Sequence, residues 1–431
     1  MNLFAAIRKN LARTPLRGTR VWACLRLRYK AAAARRALRE AAADPRYAKK
    51  DRILVINHCF DGELKALAAA LPGFPDAALF AVAPEPFFTP FVYLFPESVS
   101  CGQAPYDAPE FAELRRESRE LSGELFRQIR TAYPFSAVLT PSDSFYWLRE
   151  FLLVCRENGI PVIVADKEGT ISPRSFESEP LRIKKLFPPL AEWFLVWSGR
   201  QREFWLKAGV PAGRIIVTGA ARSDLFVNMR RGAPKNVIFF DFDSDAYINV
   251  IDWTRTNWDG PKDWHYLRNA FRAAALAVAK EFPEVDVILK CHPQQASFGL
   301  PGAMGGVKNL KVLRGAEISE LMPYAYAVAG FQTTALMEAA MAGIPTFYAA
   351  WGGLYEVVSP EVLPFHEPGF GMRLCRSGAE IVEGMRGAIA GGGKLPQPDT
   401  SALELFFNMR DGNCSKRVIQ NVLEIAAKGR R

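Results

Sequence analysis

The feature that most constrains this chain is an alternation. From residue 51 onward, short and almost continuously apolar runs are separated by longer stretches of helical periodicity. Residues 52–57, 77–83, 136–140, 161–165, 193–197 and 214–218 read as strands. Runs without a regularly polar face suit parallel strands covered on both sides. Between them, 63–71, 109–132 and 144–157 read as helices, with apolar residues at helical spacing. Strand–helix–strand alternation is the pattern of a doubly wound sheet. Residues 229–235 interrupt it with a basic stretch broken by Gly232 and Pro234. A second series follows, with strands at 236–240, 285–290, 310–313 and 326–329 and helices at 264–281, 317–324 and 333–342. The helix at 333–342 stops at Gly343, with Pro345 two residues on, a usual helix end. A last helix is expected at 413–428.

The predicted fold class is therefore α/β, with two Rossmann-like doubly wound domains facing a cleft. The predicted boundaries are an arm over 1–50, a first domain over 51–228, a second over 236–400 and a C-terminal helical segment over 401–431. Ligands in such sheets bind outside the carboxyl ends of the strands.

Charge singles out the arm. The 431 residues carry a formal +10, from 55 Lys and Arg against 45 Asp and Glu. Residues 1–50 hold 14 of the basic residues and only Glu40 and Asp44 as acids, a net +12. The remainder is a nearly neutral body. In the arm, Leu3, Phe4, Ile7, Leu11, Val21, Trp22, Leu25 and Leu27 interleave with Arg and Lys, which suits an anionic membrane surface. The plainer alternative is a solvated basic helix on the protein's own body. No apolar run reaches the roughly 18 residues of a membrane helix, and Arg8, Lys9 and Arg13 interrupt any secretory h-region. Seven cysteines without a CxxC pair argue against a disulfide framework or structural zinc and fit a reducing cytosol. The expected location is cytoplasmic, peripheral at the inner face of the membrane. Nucleic-acid binding is not expected, because no recognition motif is present and the body is not basic.

Neither GxxxxGK[ST] nor a strand-anchored GxGxxG occurs, which disfavours Walker-type ATPases and standard dinucleotide sites. Four turns at strand ends carry candidate chemistry. Gly330, Phe331, Gln332, Thr333 and Thr334 lead from a strand into a helix. Its free N–H groups and hydroxyls can cradle a phosphate, or Thr333 can simply cap. Glu338, further along, can accept from ribose hydroxyls or be a solvated helix residue. At Lys290, Cys291, His292 and Pro293, His292 can donate to phosphate or ribose while Lys290 adds charge. Asp166, Lys167, Glu168 and Gly169 follow a strand, so either carboxylate can take a proton from an acceptor hydroxyl. Gly169 permits a sharp turn close to substrate. Asp241, Asp243 and Asp245 spell a weak oxygen-ligand pattern for a hard cation, against solvated or capping acids. His58, after the first strand, can help bind an acceptor. Trp264 and His265 can line the cleft. Cys291 directly precedes His292, so the two point apart and make a poor nucleophile–base couple.

This order of motifs resembles the GT-B nucleotide-sugar transferases that use CMP-activated donors. Bacterial sialyltransferases, capsule Kdo transferases and the teichoic-acid glycerophosphotransferases share variants of it. The resemblance covers roughly 51–400 and is strongest over 193–224 and 285–345. It includes Val196 to Gly199, Gly209 to Pro211, Ile215 to Asp224 and Ile318 to Pro345. It implies that Glu168 is the general base, that His292 contacts the donor phosphate or nucleotide, and that Thr333 and Thr334 meet the donor phosphate. The family's acidic pair is adjacent, whereas Lys167 separates Asp166 from Glu168, so either stands as the base. The implied activity is transfer of a sugar from a nucleotide donor, CMP-linked by preference, to a surface polysaccharide or lipid-linked acceptor. Inversion is expected from a single displacement, with the leaving-group charge met by helix dipole and His, and with no metal and no cofactor. The alternatives are a sugar-nucleotide 2-epimerase, a glycerophosphotransferase, or a catalytically silent domain pair tethered by its arm.

Overall fold

The computed structural model describes residues 51–91, 95–100, 102–167, 169, 171–242, 260–292, 306–351, 362–396 and 398–429. Contacts divide the chain into two compact units, each built on its own sheet of six parallel strands.

The first unit holds β1 (Asp51–Ile56), β2 (Ala77–Val82), β3 (Ala137–Thr140), β4 (Val162–Ala165), β5 (Trp193–Val196) and β6 (Ile215–Val217). Their order is β2-β1-β3-β4-β5-β6, and every neighbouring pair is parallel. Ile53 to Ile56 and Val162 to Val164 are wholly buried, as expected of strands covered on both faces. In the connecting helix Ala112–Ala132, Leu125, Phe126, Ile129 and Ala132 are buried while Glu113 and Arg116 pair at the surface.

The C-terminal helix Cys414–Lys428 also belongs to this unit. Its Val418, Ile419, Val422 and Ile425 lie in one core cluster with Ile53, Leu139 and Leu195. That spacing is one apolar stripe of a helix. Its first turn is tied down by polar contacts. Ser415 Oγ donates to the Ala221 carbonyl at 3.1 Å, and Arg417 Nε donates to the Thr218 carbonyl at 2.8 Å. Gly219 sits at φ +80°, and a Cβ there would come 2.4 Å from Cys414 Sγ, so position 219 has both a conformational and a steric need for glycine. The expected single segment 401–431 is thus divided. Residues through Gly412 group with the second unit, and those from Asn413 group with the first.

The second unit holds β7 (Asn236–Phe240), β8 (Asp286–Lys290), β9 (Leu310–Leu313), β10 (Ala325–Gly330), β11 (Thr346–Ala349) and β12 (Arg373–Cys375). Their order is β12-β11-β10-β7-β8-β9, again parallel throughout. Helix Gly260–Glu281 buries Leu267, Phe271, Ala275 and Val278, a core stripe at helical spacing. The basic stretch at 229–235 is more than a spacer. Arg231 Nη1 donates to the carbonyls of Gly343 and Gly393 at 3.3 and 3.2 Å, and Nη2 donates to that of Ala325. Lys235 Nζ lies 4.6 Å from the ring centroid of Tyr324. Among the described residues, no helix is long and apolar enough to cross a membrane.

Candidate functional site

Parallel strands bring all their carboxyl-end loops to one end of a sheet. In the first unit that end holds the residues after β1, β3, β4, β5 and β6. Asp166 directly follows β4, and its Oδ2 accepts from the indole Nε1–H of Trp205 at 2.8 Å. Its backbone N–H donates to the Leu195 carbonyl at 3.1 Å. A hollow beside it is lined by Phe60, Glu63, Trp197, Thr218 and Gly219. Glu63 is buried, with an oxygen 3.8 Å from the Arg222 guanidinium. Glu168 lies outside the described residues. Gly169 has a steric need for glycine, because a Cβ there would fall 2.2 Å from a ring carbon of Trp197.

His58 lies two residues beyond β1. Its ring stands edge-on to Phe145 at 4.8 Å and to Trp147 at 5.2 Å. The loop that carries Phe145 is held from below. Asp143 is fully buried, and its Oδ2 accepts from the N–H groups of Leu190 and Ala191 at 2.7 and 2.9 Å. Arg149 Nη1 donates to the Asp143 carbonyl at 3.0 Å. Burial, and then the charge of Lys167, lower the His58 titration below its usual range, with Glu85 opposing. The imidazole is therefore mainly neutral at pH 7 and carries one donor and one acceptor nitrogen, suited to a hydroxyl ligand.

In the second unit the corresponding end gathers the residues after β8, β7 and β10, which are neighbours in that order. His292 lies two residues beyond β8, Asp241 directly follows β7, and Thr333 lies three residues beyond β10. With strands about 4.8 Å apart, β8 and β10 lie roughly 10 Å from each other. Thr333 is the N-cap of helix Thr334–Met341, and its Oγ1 accepts from the Ala335 N–H at 3.3 Å. Capping uses the hydroxyl as an acceptor and leaves its proton to donate. Thr334 is the first helical residue, where backbone N–H groups have no partner within the helix. Gly330 ends β10, and a Cβ there would sit 3.1 Å from Phe240 Cβ, so the strand packs closely at that point.

Two expected ligands, Lys290 and Glu338, and the weaker candidate Asp241 are buried or paired. Lys290 is only 7 % exposed, and its Nζ donates to the carbonyls of Cys291 and Arg314, both at 3.1 Å. Its charge is used by main-chain oxygens, and burial lowers its pKa. Glu338 is 0 % exposed, so it is no solvated helix residue and its carboxylate is closed to a ribose hydroxyl in this conformation. Asp241 is buried in a two-bond pair with Arg272, Oδ1 accepting from Nε at 3.0 Å and Oδ2 from Nη2 at 2.5 Å. That pairing occupies the oxygens that a cation would need. Asp243 and Asp245 lie outside the described residues, and only the helical backbone of Trp264 and His265 is described. Among the described residues, no cluster of three or more His, Cys, Asp or Glu side chains is placed to hold a metal.

Sequence spacing gives no sign of Trp205 or Arg272, and it gives Gln332 no role of its own within the turn. Gln332 adopts φ 39°, a conformation unusual for a residue with a side chain. Its side chain compensates. Nε2 donates to Tyr348 Oη at 2.6 Å and to the Leu363 carbonyl at 2.9 Å, while Oε1 accepts from the Leu363 N–H at 2.8 Å. These bonds fix the turn that presents Thr333. Their partners are 16 and 31 residues away, so no local spacing announces them.

The fold is GT-B-like, two Rossmann-like domains. It is shared with a crystal structure of a UDP-N-acetylglucosamine 2-epimerase at 14 % identity and TM-score 0.51, over 89 % of this chain and 97 % of that one. The 2-epimerase from Neisseria meningitidis bound to UDP-GlcNAc is similar at 14 % identity and TM-score 0.48, over 86 % of this chain and 100 % of that one. The wall teichoic acid polymerase TagF is similar at 10 % identity and TM-score 0.48, over 97 % of this chain and 98 % of that one. No protein-family model and no curated protein sequence matches the chain.

Proposed function

We propose that the protein is a nucleotide-sugar enzyme, and specifically a glycosyltransferase that moves a sugar from a nucleotide donor, CMP-linked by preference, to a surface polysaccharide or lipid-linked acceptor. One observation carries the reading. The acidic turn follows β4 in one sheet, while His292 and the Thr333–Thr334 helix start follow β8 and β10 in the other. Both sets lie at carboxyl ends of parallel strands, where doubly wound sheets bind ligands. The second unit holds the donor. The Thr333 hydroxyl, the free N–H groups of the helix start and His292 meet the phosphate charge that grows as the glycosidic bond breaks. In the first unit a carboxylate of the 166–168 turn takes the acceptor proton, and His58 binds the acceptor. The reaction is a single displacement with inversion at the sugar carbon. Lys290, Glu338 and Asp241 have no part in it, for the reasons of burial and pairing given above.

Isothermal titration with CMP-, UDP- and CDP-linked sugars tests the donor half. Binding of one class, weakened at least tenfold by His292→Ala, is the expected result. No binding of any class would favour the silent domain pair.

The 2-epimerase reading draws its support from the solved structure with TM-score 0.51, described as a UDP-N-acetylglucosamine 2-epimerase. An epimerase consumes donor without acceptor, so product analysis separates the two.

The arm at 1–50, outside the described residues, is proposed to hold the enzyme at the inner face of the membrane. Full-length protein is expected to float with anionic liposomes and not with neutral ones. Protein lacking 1–50 is expected to stay at the bottom of the gradient.

A further inference from the structure

Trp205 is 4 % exposed in helix Gly199–Lys207, and its ring packs 4.6 Å from that of Phe194 in β5 and 5.5 Å from that of Phe204. A buried indole N–H needs an acceptor. Here the acceptor is Asp166 Oδ2, at 2.8 Å. The bond ties the first residue after β4 to a helix that is itself locked. Ser198 caps that helix by accepting from the Gln201 N–H, and Gln201 Oε1 accepts from the Trp197 N–H at 2.6 Å. The other end of the 166–169 turn meets the same framework, because Gly169 lies against the ring of Trp197 with no room for a Cβ. Both ends of the turn therefore rest on β5 and the helix that follows it.

We propose that Trp205 is a positioning residue that holds Asp166, and with it the start of the turn after β4, and that Asp166 anchors this turn and is not its proton acceptor. The proposal rests on the reading that this turn carries the carboxylate facing the acceptor. A base must be placed to within a fraction of an ångström, and a misplacement of about 1 Å can cost roughly 10²-fold in rate.

The test compares Trp205→Phe, Asp166→Ala and Asp166→Asn in the full-length protein. Two readouts are taken, kcat and KM for the donor, and hydrogen exchange of the amides at 165–169 measured by mass spectrometry. Trp205→Phe and Asp166→Ala are expected to lower kcat about 10–100-fold at similar donor KM and to speed exchange in the turn. Asp166→Asn keeps an oxygen for the indole N–H, so it is expected to restore most of both. Asp166→Ala removes the same bond without touching the core, which covers a Trp205 variant that fails to fold. Asp166→Asn as inactive as Asp166→Ala, with exchange like the wild type, would make Asp166 itself the base and overturn the proposal. Wild-type exchange and kcat in both Trp205→Phe and Asp166→Ala would overturn it too. If the wild type turns over no nucleotide sugar, the functional reading fails and exchange alone decides. Faster exchange in Trp205→Phe and Asp166→Ala, reversed in Asp166→Asn, supports the anchor, and unchanged exchange refutes it.

Discussion

Glu168→Gln is expected to lower turnover by about 10²–10⁴-fold, the usual contribution of a general base, while donor affinity stays within roughly twofold. The amide keeps the size of the side chain and removes its ability to take a proton. The residues proposed to hold the donor, His292 and Thr333, follow strands of a different sheet, so donor binding is expected to persist. Stopped-assay turnover measured beside isothermal titration with the donor checks both halves. Near-normal turnover would remove Glu168 from the chemistry, and loss of donor affinity would move it to the donor side. The pH dependence adds a sign. In the proposed role, neutral His58 is the form that accepts from an acceptor hydroxyl, and its titration is held below the usual value by burial and Lys167. Acceptor affinity should therefore be flat above neutrality and fall as the pH drops below that lowered value.

Asp241→Asn is expected to act on stability. The carboxylate sits in a pair with Arg272 in which both side chains are nearly inaccessible. Removing the negative partner leaves a guanidinium buried beside a neutral amide, a change that typically costs about 3–5 kcal/mol. For a unit of this size that corresponds to a fall in melting temperature of roughly 6–20 °C. The fall should be the same with Mg²⁺ and with EDTA, because the pair needs no cation. An unchanged melting curve together with Mg²⁺-dependent activity lost in the variant would restore Asp241 as a metal ligand.

The two outcomes differ because of what the sequence can carry. Strands β7 and β9 are legible at their observed ends, Asn236–Phe240 and Leu310–Leu313, as short, mainly apolar stretches. Strands β11 and β12 went unread, although they are no shorter than β9 and β6, which are legible. Helix Pro173–Leu186 was hidden by Pro180, a residue that normally ends a helix. The terminal helix was legible as a helix, but its stripe of Val418, Val422 and Ile425 does not say which sheet it covers. The candidate turns were legible because they follow strands. Their chemistry was only half legible, since Asp166 and Asp241 look alike in sequence. What separates them is a partner 39 residues away in one case and 31 in the other. Trp205 leaves Asp166 at a partly exposed position at the head of a turn. Arg272 takes both oxygens of Asp241 into the core. Lys290 taught the same lesson, because a lysine before a histidine at a strand end reads as a phosphate ligand until its carbonyl partners are seen.

The central claim is that the protein transfers a sugar from a nucleotide donor to an acceptor. It is tested most directly by isomer-resolving liquid chromatography with mass spectrometry, on purified full-length protein with a panel of CMP-, UDP- and CDP-linked donors, each with and without a lipid-linked or polysaccharide acceptor. The account predicts one donor class consumed only with acceptor present, releasing free nucleotide and adding one sugar mass to the acceptor. Conversion of a nucleotide sugar to an isomer of equal mass without acceptor, or no consumption of any donor, would contradict it.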